Sequence, residues 1–180
     1  MGSQTFIPRD YDVFAGLDVD KRSISVTFTD HQGLLKSLRM PYSVEHLVNH
    51  VRKHFPDQKV AFAYEAGPTG YGLYDGLVAQ DFRCLIASPS MIPKAPGQRV
   101  KTHRLDSQGL SQNLRGGQLK SIHVPTAVYR ELRHLTQLRD TFVSEMVGMK
   151  QRIKSLLLME GMEFPLLRPV ANGRSWSKIN

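Results

Sequence analysis

Cysteine is almost absent from this chain of 180 residues: Cys84 stands alone, inside an apolar run. A single cysteine excludes a disulfide framework and a cysteine-based zinc site, and it points to a reducing compartment. Long apolar stretches are missing too. Arg9, Asp10 and Asp12 break the N-terminal region before any signal-peptide core could form. No run reaches the ~18 to 20 apolar residues of a membrane span, so a soluble, cytoplasmic protein with no membrane partner is expected. Acids are scarce relative to bases, 16 against 24, which leaves a formal net charge of +8. That imbalance disfavours acidic partners' opposites and favours a polyanion. The excess is concentrated between Ser88 and Lys120, where Lys94, Arg99, Lys101, Arg104, Arg115 and Lys120 face one acid, Asp106. These six are the candidate nucleic-acid-binding residues, although a basic run can equally be a solvated face.

What is present begins with Val13-Phe14-Ala15-Gly16-Leu17-Asp18-Val19-Asp20. Its Val and Leu content reads as a buried strand, and a carboxylate near the end of such a strand needs a partner. Asp18 either closes a tight turn or holds a cation. Ser23 to Thr29 alternates polar and apolar residues, which predicts a half-exposed antiparallel strand. After the turn signal Asp30-His31-Gln32-Gly33, Leu34 to Met40 would complete a three-stranded meander. Ser43 then reads as an N-cap for a helix whose face is Val44, Leu47, Val48, Val51 and Phe55. Lys59 to Glu65 is a fourth strand that also finishes on a carboxylate. A sharp turn through Ala66 to Gly70 leads to a second helix carrying Tyr71, Tyr74, Leu77 and Val78, and Phe82 to Ala87 is a fifth strand.

Pro89, Pro93, Pro96 and Gly97 forbid regular structure between Ser88 and Thr102, so a long basic loop is expected there. A short helix from about Arg104 to Leu114 follows, stopped by Gly116-Gly117. Beyond Pro125, with Thr126 as the expected cap, Val128, Leu132, Leu135, Leu138, Phe142, Met146, Met149, Ile153 and Leu156 recur about every 3.5 residues. That spacing is the signature of a coiled-coil seam or an extended helical hairpin; the methionines within it read as packing residues. The division expected is a flexible N-terminus at 1–12, a catalytic α/β domain at 13–124, a helical coiled-coil extension at 125–162, and a linker at 163–180 leading toward a further domain.

Three antiparallel strands followed by alternating helix and strand is the ribonuclease-H-like order, a mixed sheet with flanking helices. In that arrangement the ends of the first and fourth strands lie side by side, which would bring Asp18 and Glu65 together. The short helix after the loop would present His103 and Asp106, three apart, on one face. Cleavage of a phosphodiester with two divalent ions needs oxygen-rich ligands that hold them roughly 3.5 to 4 Å apart. Asp18 is the candidate bridging ligand, with Glu65 and Asp106 completing one site each. A neutral His103 could ligate a metal or take the proton of an attacking water. The structural alternatives are a turn acceptor for Glu65, a helix cap for Asp106 and an idle surface group for His103.

Gly16-Leu17-Asp18-Val19, Tyr64-Glu65-Ala66-Gly67-Pro68-Thr69-Gly70 and Arg99 to Ser107 together resemble the DEDD-type transposases of the insertion sequence 110 family and its 1111 branch. The resemblance spans roughly Phe14 to Leu158, and its most specific part is the Lys-Thr-x-Arg-x-Asp block that closes on Asp106. It implies an N-terminal domain similar to the Holliday-junction resolvase RuvC, with the family's four acidic positions at Asp18, Glu65, His103 and Asp106. The third of these is normally Asp; other RuvC-like nucleases carry His-x-x-Asp at that spacing. The resemblance further implies Mg²⁺, with Mn²⁺ as a substitute, DNA and a structured guide RNA as partners, and homo-oligomers through the long helices. It also implies a C-terminal domain with a catalytic serine, which these residues do not include.

The function expected is therefore metal-dependent DNA strand cleavage and exchange in transposition. The alternative is a truncated, inactive remnant that binds nucleic acid or a full-length transposase. A phosphotransferase of the actin and sugar-kinase type would need a Gly- and Thr-rich phosphate loop after Asp18, and Val19-Asp20-Lys21-Arg22 stands there instead.

Overall fold

The apolar periodicities of the first 124 residues resolve into one sheet with helices on both faces. The computed structural model describes residues 6–92 and 103–162, apart from the side chains of His103 and Arg104. Five strands, β1 (Val13–Val19), β2 (Ser23–Thr29), β3 (Leu34–Pro41), β4 (Val60–Glu65) and β5 (Arg83–Ala87), lie in the order β3-β2-β1-β4-β5. β1 pairs antiparallel with β2, and β2 with β3; β4 joins β1 in parallel, and β5 joins β4 in parallel. The sheet is thus mixed and ribonuclease-H-like, and β4 crosses over to pair with β1.

Helix α1 (Val44–His54) makes the crossover from β3 to β4, and α2 (Gly72–Val78) the one from β4 to β5. Ser43 caps α1, its side chain accepting from the His46 amide at 3.2 Å. Leu47, Val48 and Val51 of α1 and Leu73 and Leu77 of α2 bury against Ala15, Leu17, Val26, Phe28, Phe62 and Ile86 on one face of the sheet. In α2 the core-facing residues are therefore Leu73 and Leu77, while Val78 is exposed. The opposite face is covered by α3 (His103–Arg115), whose Leu110 and Leu114 pack on Phe14, Ala61, Ala63 and Leu85.

The cover from α3 corrects the half-exposed expectation for β2. Its polar set is not solvated along its length: Thr27 and Thr29 are buried. Near the N-terminus, Phe6 stacks on Tyr11 with ring centroids 5.2 Å apart, beside a 3-10 turn at Pro8–Asp10.

The chain divides into two units, 1–124 and 125–180. Within the second, α4 (Ala127–Met159) runs unbroken for 33 residues, which is about 50 Å at 1.5 Å per residue. Thr126 occupies the N-cap position without a side-chain cap bond, its role limited to its carbonyl accepting from the Arg130 amide. None of the apolar seam of α4 is buried; exposures run from 49% at Met146 to 64% at Val128. The expected linker at 163–180 and most of the basic loop lie outside the described residues. Among the described residues no helix is long and apolar enough to cross a membrane.

Candidate carboxylate site

Pleating assigns Asp18 its face. Phe14 and Gly16 of β1 lie under α3, so Asp18, two residues on, belongs to the same face. On β4 the residues beneath α3 are Ala61 and Ala63, which puts Glu65 on that face too. The parallel pairing of β1 with β4 runs up to Leu17 opposite Tyr64. Asp18 and Glu65 are the next residue of each strand, on neighbouring strands spaced ~4.8 Å apart. Asp18 is half-buried and Glu65 exposed.

Helix α3 runs antiparallel to β1. At its C-terminal end Arg115 Nη1 donates to the Asp30 carbonyl at 3.2 Å, beside the start of β1. In its middle, a β-carbon added to Gly16 would meet the Ser107 carbonyl and the Ser111 amide. Its N-terminal turn, with His103 and Asp106, therefore lies toward the C-terminal ends of β1 and β4, the end that carries Asp18 and Glu65. Asp106 is exposed, and the His103 side chain is outside the described residues. Among the described residues no three His, Cys, Asp or Glu side chains are gathered closely enough to hold a metal ion. The fold thus brings Asp18 and Glu65 to adjacent strand ends and directs the first turn of α3 to the same end. The described side chains do not by themselves close a ligand set.

The turn after Glu65 is held from below. Tyr64 is buried, and its hydroxyl donates to the Gly70 carbonyl at 3.1 Å. Burial pushes this phenol far above its ordinary range, so it remains a proton donor at any working pH. The Ala66 amide donates to the Ala87 carbonyl at 2.9 Å, and Gly70 takes the left-handed backbone that the turn requires.

Two features escaped sequence reading. Asp18 pairs with Ser25, and Ser25 with Arg39, so a cation sits in the same cross-strand row as Asp18. Arg39 donates to Ser23 Oγ at 3.0 and 2.8 Å. The other is the seating of α3 itself, through Gly16, Thr27 and Ser107. No sequence periodicity reports which residues face each other across strands. Of the basic candidates, Lys94, Arg99 and Lys101 lie outside the described residues, as does the Arg104 side chain. Arg115 is engaged at the far end of α3, and Lys120 is exposed.

Comparison with known proteins gives this geometry a family. The model of the DEDD transposases of insertion sequence 110, described as Transposase, matches residues 15–160. A putative transposase of Sinorhizobium fredii is 31% identical over 175 residues, covering 93% of this chain and 43% of its own length. The transposase for insertion sequence element IS1533 of Leptospira borgpetersenii is 23% identical over 155 residues, covering 84% of this chain and 45% of its own. The chain therefore spans less than half the length of these curated relatives. Among solved structures, Thermus thermophilus RuvC in complex with Holliday junction substrate aligns with a TM-score of 0.46 and 12% identity, over 62% of this chain and 100% of that one. A second Thermus thermophilus RuvC structure aligns at 0.45 and 13%, over 61% and 99%. The protein belongs to the DEDD-type transposases of the insertion sequence 110 family.

Proposed function

We propose that this chain is the metal-binding, DNA-cleaving part of a transposase. The observation that carries the reading is the meeting of Asp18 and Glu65 at adjacent strand ends, with the first turn of α3 directed to that end. Their chemistry fits a hard divalent cation: carboxylate oxygens are the donors that Mg²⁺ and Mn²⁺ prefer. Asp18, on the central strand, would bridge two ions, with Glu65 and Asp106 each completing one site and His103 adding a nitrogen donor. Bound metal supplies Lewis acidity toward the phosphate and a more acidic water. The chain's own part would be to fix the carboxylates on rigid strand ends, and His103, if neutral, would take up a proton. Arg39 in the same row would offset phosphate charge.

DNA is the proposed substrate, with the basic residues Lys94, Arg99, Lys101, Arg104, Arg115 and Lys120 contacting phosphates and a structured guide RNA as a further partner. The exposed seam of α4 is proposed to pair with a second copy of the chain, since a helix with an apolar stripe is stabilised by burying it. Strand exchange would be the work of the whole, longer protein.

Metal titration tests the reading. Mn²⁺ should raise the melting temperature of the chain, and Asp18→Ala should remove that response. Equal responses from both proteins would sink the metal site. A second reading, a nucleic-acid-binding remnant without catalysis, is favoured by His103 standing where the family carries an acid. It predicts DNA binding that is indifferent to Mn²⁺ and to Asp18→Ala.

A further inference from the structure

The buried Ser and Thr side chains among the described residues lie in one layer. Thr27 and Thr29 come from β2, and Ser107 and Ser111 from α3. The other face of the sheet, under α1 and α2, buries no Ser or Thr among the described residues; the buried hydroxyl there is that of Tyr64, at the turn after β4. Thr27 Oγ1 lies 2.8 Å from Ser107 Oγ, and on its other side 2.9 Å from Ser37 Oγ. Ser37 is the partner of Thr27 across β2 and β3, and Gly16 is its partner across β1 and β2. One cross-strand row thus offers α3 a bare backbone at Gly16 and a hydroxyl at Thr27, both engaged at the same turn of the helix.

We infer that the Thr27–Ser107 hydroxyl pair, with Gly16 beside it, sets the axial register of α3 and so positions His103 and Asp106 against Asp18. An apolar helix–sheet contact tolerates sliding, because dispersion and burial are not directional. A hydrogen bond between two buried hydroxyls is directional, and a displaced helix breaks it, while Thr27 keeps its bond to Ser37 on the sheet. His103 lies four residues before Ser107, about 6 Å along the axis, and Asp106 one residue before it. A slip of one turn, about 5.4 Å, would therefore carry both away from the strand ends while leaving α3 helical and amphipathic. Thr27 and Ser107 are positioning residues; they act on the site through the helix. The inference rests on the metal-site reading proposed above.

The test uses the whole chain with Mn²⁺ alone as the probe. Thr27→Val removes the hydroxyl that Ser107 meets on the sheet and should lower both stability and Mn²⁺ affinity. Thr27→Val combined with Ser107→Ala removes both hydroxyls, so stability should largely return. The affinity should stay depressed at least about tenfold, the loss typical when a supporting shell is disturbed. Thr27→Ser should restore both. A merely structural role predicts that affinity recovers with stability in the double variant, and that result would overturn the inference. Register is read independently by the distance between spin labels at Lys36→Cys and Gln112→Cys, two exposed positions, with Cys84 buried. In the double variant this distance should shift or broaden by several ångströms on the scale of a helical turn. An unchanged distance would overturn the inference. Should the parent chain bind no Mn²⁺ while the distance still shifts, the metal reading falls and the positioning role stands.

Discussion

Gly16 of β1 and Ser107 of α3 occupy one another's space: a β-carbon on Gly16 would overlap the Ser107 carbonyl oxygen and the Ser111 amide. The helix backbone therefore rests on the strand backbone, with no side chain between them, two residues before Asp18.

Gly16→Ala should accordingly be among the most damaging small substitutions in the chain. The added methyl meets backbone on both sides, where nothing can rotate away, and overpacking of this kind costs about 3 kcal/mol. Gly109, in α3 itself, has open space at its β-carbon. Gly109→Ala should stabilise by up to about 1 kcal/mol through helix propensity. Urea unfolding of the two variants measures the contrast, and equal effects would refute the close docking.

His103→Asp would complete four acids at the proposed site. If His103 ligates metal, exchanging its nitrogen for a carboxylate should tighten Mg²⁺ by about tenfold or more, because hard cations favour charged oxygen donors. Isothermal titration with Mg²⁺ gives the answer. No change would remove residue 103 from the ligand set.

His50 makes stability depend on pH. Its ring stacks on Phe28 and on His54, with the His54 centroid 4.1 Å away, and its Nε2 is buried without a hydrogen-bond partner. Desolvation, then the positive charge of His54, Lys36 and Lys53, lowers its pKa below the ordinary 6.5. The folded state thus binds fewer protons here than the unfolded state. Stability is intact above about pH 6.5 and falls as pH drops through the folded-state value. The melting temperature should decline from pH 7 to pH 5, and His50→Phe should flatten that decline. A slope unchanged by the variant would place the titration elsewhere.

Phe142 lies mid-seam on α4 and is 60% exposed. If the seam pairs with a second copy, Phe142→Glu should put a charge in the interface and dissociate it. Sedimentation velocity over a concentration series should show self-association for the parent and monomer for the variant, with helical circular dichroism retained. A parent chain that stays monomeric at every concentration would discard the oligomer proposal.

Much of the fold was readable because burial on two faces leaves different marks. Leu47, Val48 and Val51 announce α1 by their spacing, and the runs at Val13 and Val60 announce central strands that are covered on both sides. The alternation of β2 was equally clear, yet it misled at Thr27. Period two says which residues share a face, but a threonine against a serine looks the same from sequence as a threonine against water. Asp18 and Glu65 were found because each ends an apolar strand, where a carboxylate is conspicuous. Arg39 was not, because its place opposite Ser25, one strand from Asp18, exists only once the register of β2 and β3 is fixed. Thr126 was assigned a capping side chain on residue type alone; the helix starts there without using it.

The row Leu85, Ala63, Gly16, Thr27, Ser37 crosses all five strands, smallest at the centre where the helix rests. It acts as a gauge on the reading of the sheet. Sliding β1 by one residue turns its faces over, which any half-buried sheet forbids. Sliding it by two preserves the faces but brings Phe14 or Asp18 to the place Gly16 holds against the Ser107 carbonyl and the Ser111 amide, where no side chain fits. The strand that carries Asp18 is thus held in its alignment by a helix about ninety residues further along the chain, in addition to its own hairpin, where the Asp20 amide donates to the Ser23 carbonyl.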